Sequence, residues 1–299
     1  MDPTPEGLLP LALSNWIKAG NCVAFVGAGF TMPLGFPSWK QLMTNLVEYS
    51  KAQIHSLDER RAVENAERYV AAGNLPAAAG EIRELLTRTD FSVFINRQFS
   101  TREREAAASD EAKERMRLRL RSLVSVPWAG IVTTNFDDYI RADRFDWRAH
   151  GNDPDLGHIL SRREPFLIKL HSGKWASDVV LTNEDYYETY LPNGRSSGVR
   201  EFLKALMLSH QIVFIGSSLE DRLLDVRREL YQSFKGHLPN AWALVPETND
   251  LLARKSLLLR DHQVQLITYP IELPSQPDHW CVDRFLELAA ECSHKPAVS

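Results

Sequence analysis

Cysteine is scarce in this chain. There are three, Cys22, Cys281 and Cys292, and none lies between the first and the second. They form no CxxC pair, which excludes a disulfide framework and a Cys₄ zinc site and makes a reducing cytoplasm the natural compartment. Long apolar runs are lacking too; none approaches the roughly 18 residues of a membrane span. Charge of one sign is not in excess. The 35 Lys and Arg against 39 Asp and Glu leave a formal charge of −4, so bulk charge calls for neither nucleic acid nor an anionic membrane. No basic residue precedes the short apolar stretch near the N-terminus, so no secretory signal is expected. Repeats and low-complexity tracts are absent. What remains is ordinary: 299 residues, 44% hydrophobic, enough to bury a full core in one large domain or two smaller ones.

Six short apolar runs stand out: Cys22–Val26, Ile131–Thr134, Phe166–Leu170, Ile212–Ile215, Ala241–Val245 and Val264–Thr268. Their continuous apolar character, without strict alternation, predicts strands of a parallel sheet buried on both faces. Helical patterns separate most of them. One begins at Ser38, which with Gln41 reads as a capping box, and repeats Trp39, Leu42, Met43, Leu46 and Val47. Another follows the fourth run, with Leu219, Leu223, Val226, Leu230 and Phe234 on one stripe. The alternation predicts a doubly wound α/β fold. Residues 51–125 are rich in Ala, Arg and Glu and poor in strand signals, and read as a helical insertion after the first strand. The expected division is a catalytic domain of residues 1–50 and 126–290 around an insertion subdomain of 51–125. Within the insertion, Arg115, Arg117, Arg119 and Arg121 form a basic run. It reads as a solvated face compensated by neighbouring acids, with contact to nucleic acid or a partner as the other reading.

The chemistry-bearing residues gather where these strands end. The first strand runs into Gly27-Ala28-Gly29, a turn that lets backbone approach a phosphate, with free N–H groups to donate, or that is simply structural. The spacing is not the G-x-G-x-x-G of dinucleotide-binding Rossmann folds, because Met32 takes a glycine's place. Glu48 stands at the distance of a ribose-binding acid but within a helical stretch. The second strand ends in Thr133-Thr134-Asn135-Phe136-Asp137. Asn135 offers a donor and an acceptor to a ribose hydroxyl or a water, and Asp137 an acceptor to a carboxamide; both residue types also close turns. The third ends in Lys169-Leu170-His171-Ser172-Gly173, where His171 suits a general base or a hydrogen-bonded structural role. The fourth ends in Gly216-Ser217-Ser218, fit for an anion at a helix start or for capping.

In combination and order these residues resemble the sirtuin (silent information regulator) superfamily. Its first motif, GAG-x-S-x-x-x-G-I-P-D-F-R, is matched in spacing by Gly27, Ala28, Gly29, Thr31, Gly35 and Pro37, with Trp39 for Phe and Lys40 for Arg. Its Q-N-I-D corresponds to Thr134–Asp137, its L-H-G to Leu170-His171 and its G-T-S to Gly216-Ser217-Ser218. Within the superfamily the chain looks like the bacterial sirtuin-like NADases of antiphage defence, which show T-T-N-[FY]-D and an L-T-x-x-D-Y segment matched by Leu181–Tyr186. The zinc module and F-G-E segment of protein deacylases are missing, so no zinc is expected. The resemblance implies a Rossmann-like sirtuin fold and an NAD⁺ glycohydrolase that releases nicotinamide and ADP-ribose. Asn135 and His171 would be catalytic. Gly27, Ala28, Gly29, Ser217 and Ser218 would bind the diphosphate and adenosine ribose, Asp137 would hold the carboxamide, Trp39 would wall the nicotinamide pocket, and Thr31, Pro37 and Gly216 would also bind the cofactor. His150 competes for the base: deacylases place the histidine nearer the asparagine, as His150 is, and the defence NADases farther on. Phe166–Leu170 reads as a strand and Arg148-Ala149 as loop, which favours His171. The resemblance also implies a homo-oligomer restrained by a partner, such as a DNA-translocase-type ATPase or another defence sensor, with abortive infection by NAD⁺ depletion as its outcome. Two other classes remain, a deacylase or ADP-ribosyltransferase and a non-catalytic NAD or ADP-ribose sensor.

Overall fold

The structure, a computed structural model, describes residues 5–141, 145–149, 156–162, 164–171, 179–191, 197–217, 219, 223–271 and 279–294. Seven strands form one all-parallel sheet: β1 (Cys22–Val26), β2 (Gly130–Thr133), β3 (Asp146–Ala149), β4 (Phe166–Lys169), β5 (Gln211–Ile215), β6 (Ala241–Pro246) and β7 (Val264–Tyr269). The order is β3-β4-β2-β1-β5-β6-β7. From β1 the chain winds to one side through β2, then returns to β5 on the other. The carboxyl end of β1 is therefore the place where such sheets bind ligands.

The apolar runs are explained by burial on both faces. Cys22, Ala24 and Val26 of β1 join Val213 and Ile215 of β5 on one face, packed under helices Leu11–Lys18, Asp110–Ser125 and Trp280–His294. Val23 and Phe25 join Ile212 and Phe214 on the other, under helices Ser197–Ser209 and Leu223–Ser233. Successive strand side chains point to opposite faces, so a strand covered on both must be apolar throughout. Each such aliphatic or Phe side chain contributes about 1.5–3 kcal/mol.

Three expectations need correction. Arg148-Ala149 is not loop: β3 pairs in parallel with β4, Asp146 opposite Phe166 and Ala149 opposite Lys169. An edge strand pairs on one side only, and Asp-Trp-Arg-Ala has no apolar run to announce it. The stripe after β5 is also shorter than expected. Its helix is Leu223–Ser233, Leu219 precedes it with φ of 57°, and Phe234 is exposed. At Ser38 only half of the capping box forms. Ser38 Oγ accepts from Gln41 N at 3.2 Å, but the Gln41 amide donates to Asn45 instead.

Between β1 and β2 all the elements are helical, from Trp39–Lys51 to Asp110–Ser125. The helices over residues 39–98 share a cluster of their own, with Leu46, Val63, Ile82 and Phe94, which meets the rest through Val179 and Leu181. The helix Asp110–Ser125 instead packs Met116 and Leu123 into the core beneath β1. Its basic run is not one solvated face. Arg115 and Arg119, one turn apart, both pair with Asp283, and Arg119 is 1% exposed and also donates to the Phe30 carbonyl. The exposed Arg117 pairs locally, with Glu114.

Candidate active site

The Gly27-Ala28-Gly29 turn leaves β1 as a short 3₁₀ helix, Ala28–Phe30, laid against the end of β5. Gly27 N donates to Ile215 O and Gly29 N to Gly216 O, both at 2.9 Å. These two N–H groups are therefore spent on the sheet and not free for a phosphate, as the sequence had suggested. The glycines serve close backbone approach: a Cβ on Gly27 would lie 2.6 Å from Gly216 O, and one on Gly216 2.6 Å from Phe30 N. Ala28 N–H has no acceptor among the described residues, and it is the turn's remaining donor.

The end of β2 is tied to this turn through Thr31. Thr31 Oγ1 donates to Asp137 Oδ2 at 2.9 Å and accepts from Asn135 Nδ2 at 3.4 Å. Asn135 N donates to Thr133 Oγ1, which in turn donates to Val26 O. Asn135 is 4% exposed, and its Oδ1 has no partner among the described residues. An unpaired buried amide oxygen is costly, and here it lines a cavity from which a ligand or a water can supply the missing donor. Asp137 is equally buried and its Oδ1 accepts from Tyr139 N, so it closes a turn as well as facing Thr31. Burial raises its carboxyl above the usual range, against the bonds from Tyr139 and Thr31. Lys169 at the end of β4 clamps this loop, donating to Phe136 O at 2.9 Å and Asp138 Oδ1 at 2.8 Å.

His171 follows β4, the strand next to β2. It is 4% exposed, and burial pushes its imidazole down from 6.5 to about 3, so it is neutral. Its Nε2 is 2.6 Å from the Tyr190 hydroxyl. His150, Ser172, Gly173 and Ser218 lie outside the described residues. Since β3 ends at Ala149, both histidines follow a strand. Strand order separates them: β4 adjoins β2, whereas β3 is the edge.

Gly27, Ala28, Gly29, Thr31, Pro37, Trp39, Asn135, Asp137, His171, Gly216 and Ser217 all line one cavity of about 660 Å³. Residues 129–267 match the family model of a SIR2-like domain. The chain carries a SIR2-like domain. The sirtuin resemblance read from its motifs is thus borne out, and such a domain implies NAD binding. No curated protein matches the chain.

The matched SIR2-like span includes Asn135, Asp137, His171, Gly216 and Ser217 but not the motif at Gly27–Trp39, which the fold brings to the same cavity. The volume suits a mid-sized ligand. The orphaned Asn135 Oδ1 and the open Ala28 N–H give such a ligand one acceptor and one donor. Several wall residues went unread in the sequence. Phe36, Phe99 and Phe136 form a row, with centroids 6.5 and 5.1 Å apart, and Phe99 comes from the helical segment, as do Gly73 and Pro76. Leu251, Arg254, Tyr269 and His279 line the same cavity. Glu48 plays no part; it is exposed and paired with Lys51. Among the described residues no cluster of three or more His, Cys, Asp or Glu is arranged to hold a metal, and no helix is long and apolar enough to cross a membrane.

Proposed function

We propose that the SIR2-like domain is an NAD⁺ glycohydrolase, releasing nicotinamide and ADP-ribose. The observation that carries this reading is Asn135: a buried amide oxygen without a partner among the described residues, in a cavity that neutral His171 also lines. The C1′–N bond breaks with its electron pair going to the pyridinium nitrogen, so the leaving group departs neutral and needs no acid. The barrier is formation of the oxocarbenium-like ribose, as in glycoside hydrolysis. Asn135 Oδ1 accepts from a ribose hydroxyl or the attacking water. The imidazole of His171, held neutral by burial, offers a lone pair to the same hydroxyl or water, whose proton passes on to solvent. Thr31 and Asp137 hold Asn135 and face the carboxamide. Phe136 and Trp39 wall the nicotinamide, and Ala28 N–H and Ser217 lie toward the diphosphate.

The resemblance to defence NADases supports a role in antiphage defence by NAD⁺ depletion. An enzyme of that kind is restrained by self-assembly or by a separate partner protein. The test is incubation with NAD⁺, with and without the product of the neighbouring gene, reading released nicotinamide. Wild-type protein turns NAD⁺ over, and Asn135→Ala abolishes turnover while its fold is retained. Near wild-type turnover by Asn135→Ala sinks the site assignment. Tight NAD⁺ binding without nicotinamide under every condition supports the non-catalytic sensor instead.

A further inference from the structure

His171 is held from outside the sheet. Its backbone carbonyl accepts from Val180 N at 3.0 Å, and its ring meets two tyrosines of the helix Asn183–Tyr190. The Tyr186 ring stands edge-on to the imidazole with centroids 5.4 Å apart and stacks on Tyr190 at 5.9 Å. The Tyr190 hydroxyl, on a side chain 3% exposed, reaches His171 Nε2 at 2.6 Å. The helix cannot drift easily. Thr182 and Asp185 form a full capping box at its start. Asp185 Oδ2 accepts from Leu181 N and Thr182 N and pairs with Arg83 at 3.2 Å.

A neutral imidazole carries one N–H and one lone pair, and a hydroxyl can serve either nitrogen. A hydroxyl held at one nitrogen fixes how the ring is turned and serves that nitrogen whether it bears the proton or the lone pair. We infer that Tyr190 is a positioning residue for His171, its hydroxyl fixing the ring orientation in which the imidazole meets the substrate. This rests on the reading of His171 as the group facing the ribose or water. Tyr190 does not touch the reacting atoms; it acts through His171. Losing such a supporting partner costs roughly 10- to 100-fold in function.

The test is Tyr190→Phe, which keeps the ring packing and removes the hydroxyl, with Tyr187→Phe on the exposed side of the same helix as control. Tyr190→Phe should lower kcat about 10- to 100-fold with little change in KM, should lose nothing further in a His171→Ala background, and should remain folded at the assay temperature with a somewhat lower Tm. Tyr187→Phe should match wild type throughout. Imidazole ¹⁵N spectra of histidine-labelled protein, with His171 assigned from His171→Ala, give a second readout independent of turnover. Tyr190→Phe, which removes the hydrogen bond at Nε2, should shift the His171 ¹⁵N resonances from their wild-type positions. A wild-type kcat in Tyr190→Phe, or an equal loss with and without His171, overturns the inference. If wild-type protein cleaves no NAD⁺ at all, the hydrolase reading fails; an unchanged His171 spectrum in Tyr190→Phe then overturns the positioning role by itself.

Discussion

Gly216→Ala is the sharpest perturbation of the junction between β1 and β5. Gly216 has φ of 65°, and a Cβ there would stand 2.6 Å from Phe30 N and 2.9 Å from Gly29 C. Left-handed backbone costs an alanine about 1–2 kcal/mol. Forcing a methyl against backbone that cannot rotate away adds about 1–3 kcal/mol, as for overpacked cores. The expected destabilisation is therefore about 2–5 kcal/mol, with loss of the Gly29 N to Gly216 O bond as the turn is pushed off β5. Gly73→Ala supplies the control. Its φ is 77°, but nothing lies within 4 Å of a Cβ, so only the backbone strain of about 1–2 kcal/mol applies. Urea unfolding of both variants reads the difference, which isolates the steric contribution of the contact. Nucleotide binding by Gly216→Ala should weaken in parallel, because the displaced turn carries Ala28 N–H. Equal midpoints for the two variants would refute the claim that these glycines exist for backbone contact.

His171→Ala should lower turnover roughly 10²–10⁴-fold, the usual cost of a lost general base, and His150→Ala should leave it near wild type; the reverse pattern would move the base to His150. Acid stability follows from His171 as well. Unfolded, its imidazole takes a proton below about 6.5, whereas the folded protein resists until about 3. Its contribution to stability therefore falls as pH drops through that window. His171→Gln should accordingly lose less stability than wild type between pH 7 and 4, and identical slopes in pH-resolved denaturation would count against a buried neutral imidazole. Arg119→Met should cost about 1–3 kcal/mol, because it leaves the Phe30 and His279 carbonyls without their donor, while half-buried Asp283 keeps Arg115. Arg117→Met, which breaks only an exposed pair one turn away, should cost under about 0.5 kcal/mol in the same unfolding assay, and similar values for the two would refute the burial argument.

The sheet was legible in the sequence because five of its strands are covered on both faces. Full burial demands continuous apolar residues, and β1, β4 and β5 show them without interruption. The edge strands β3 and β7 obey no such demand; β7 still carries the run Val264–Thr268, whereas Asp-Trp-Arg-Ala of β3 carries none and escaped. The polar residues that break the pattern at strand ends, Asn135, Asp137 and His171, were legible for the same reason: after an apolar run, a residue that can hydrogen-bond or titrate stands out. Which N–H groups remain open was decided only by tertiary structure. Gly27 and Gly29 signal close approach, but whether to phosphate or to backbone depends on where β5 lies, and β5 is far along the chain. The partners of the candidate base were likewise invisible. Tyr190 and Tyr186 sit at ordinary helical spacing, and only the docking of their helix, held by Asp185 and Arg83, brings a hydroxyl onto His171. Arg119 shows the same limit within one helix. Its charge reads as solvent-facing until a distant carboxylate, Asp283, supplies the partner that allows it to be buried. Local pattern determines which residues are buried or turn the chain; pairings between distant segments are set by packing, which no local window contains.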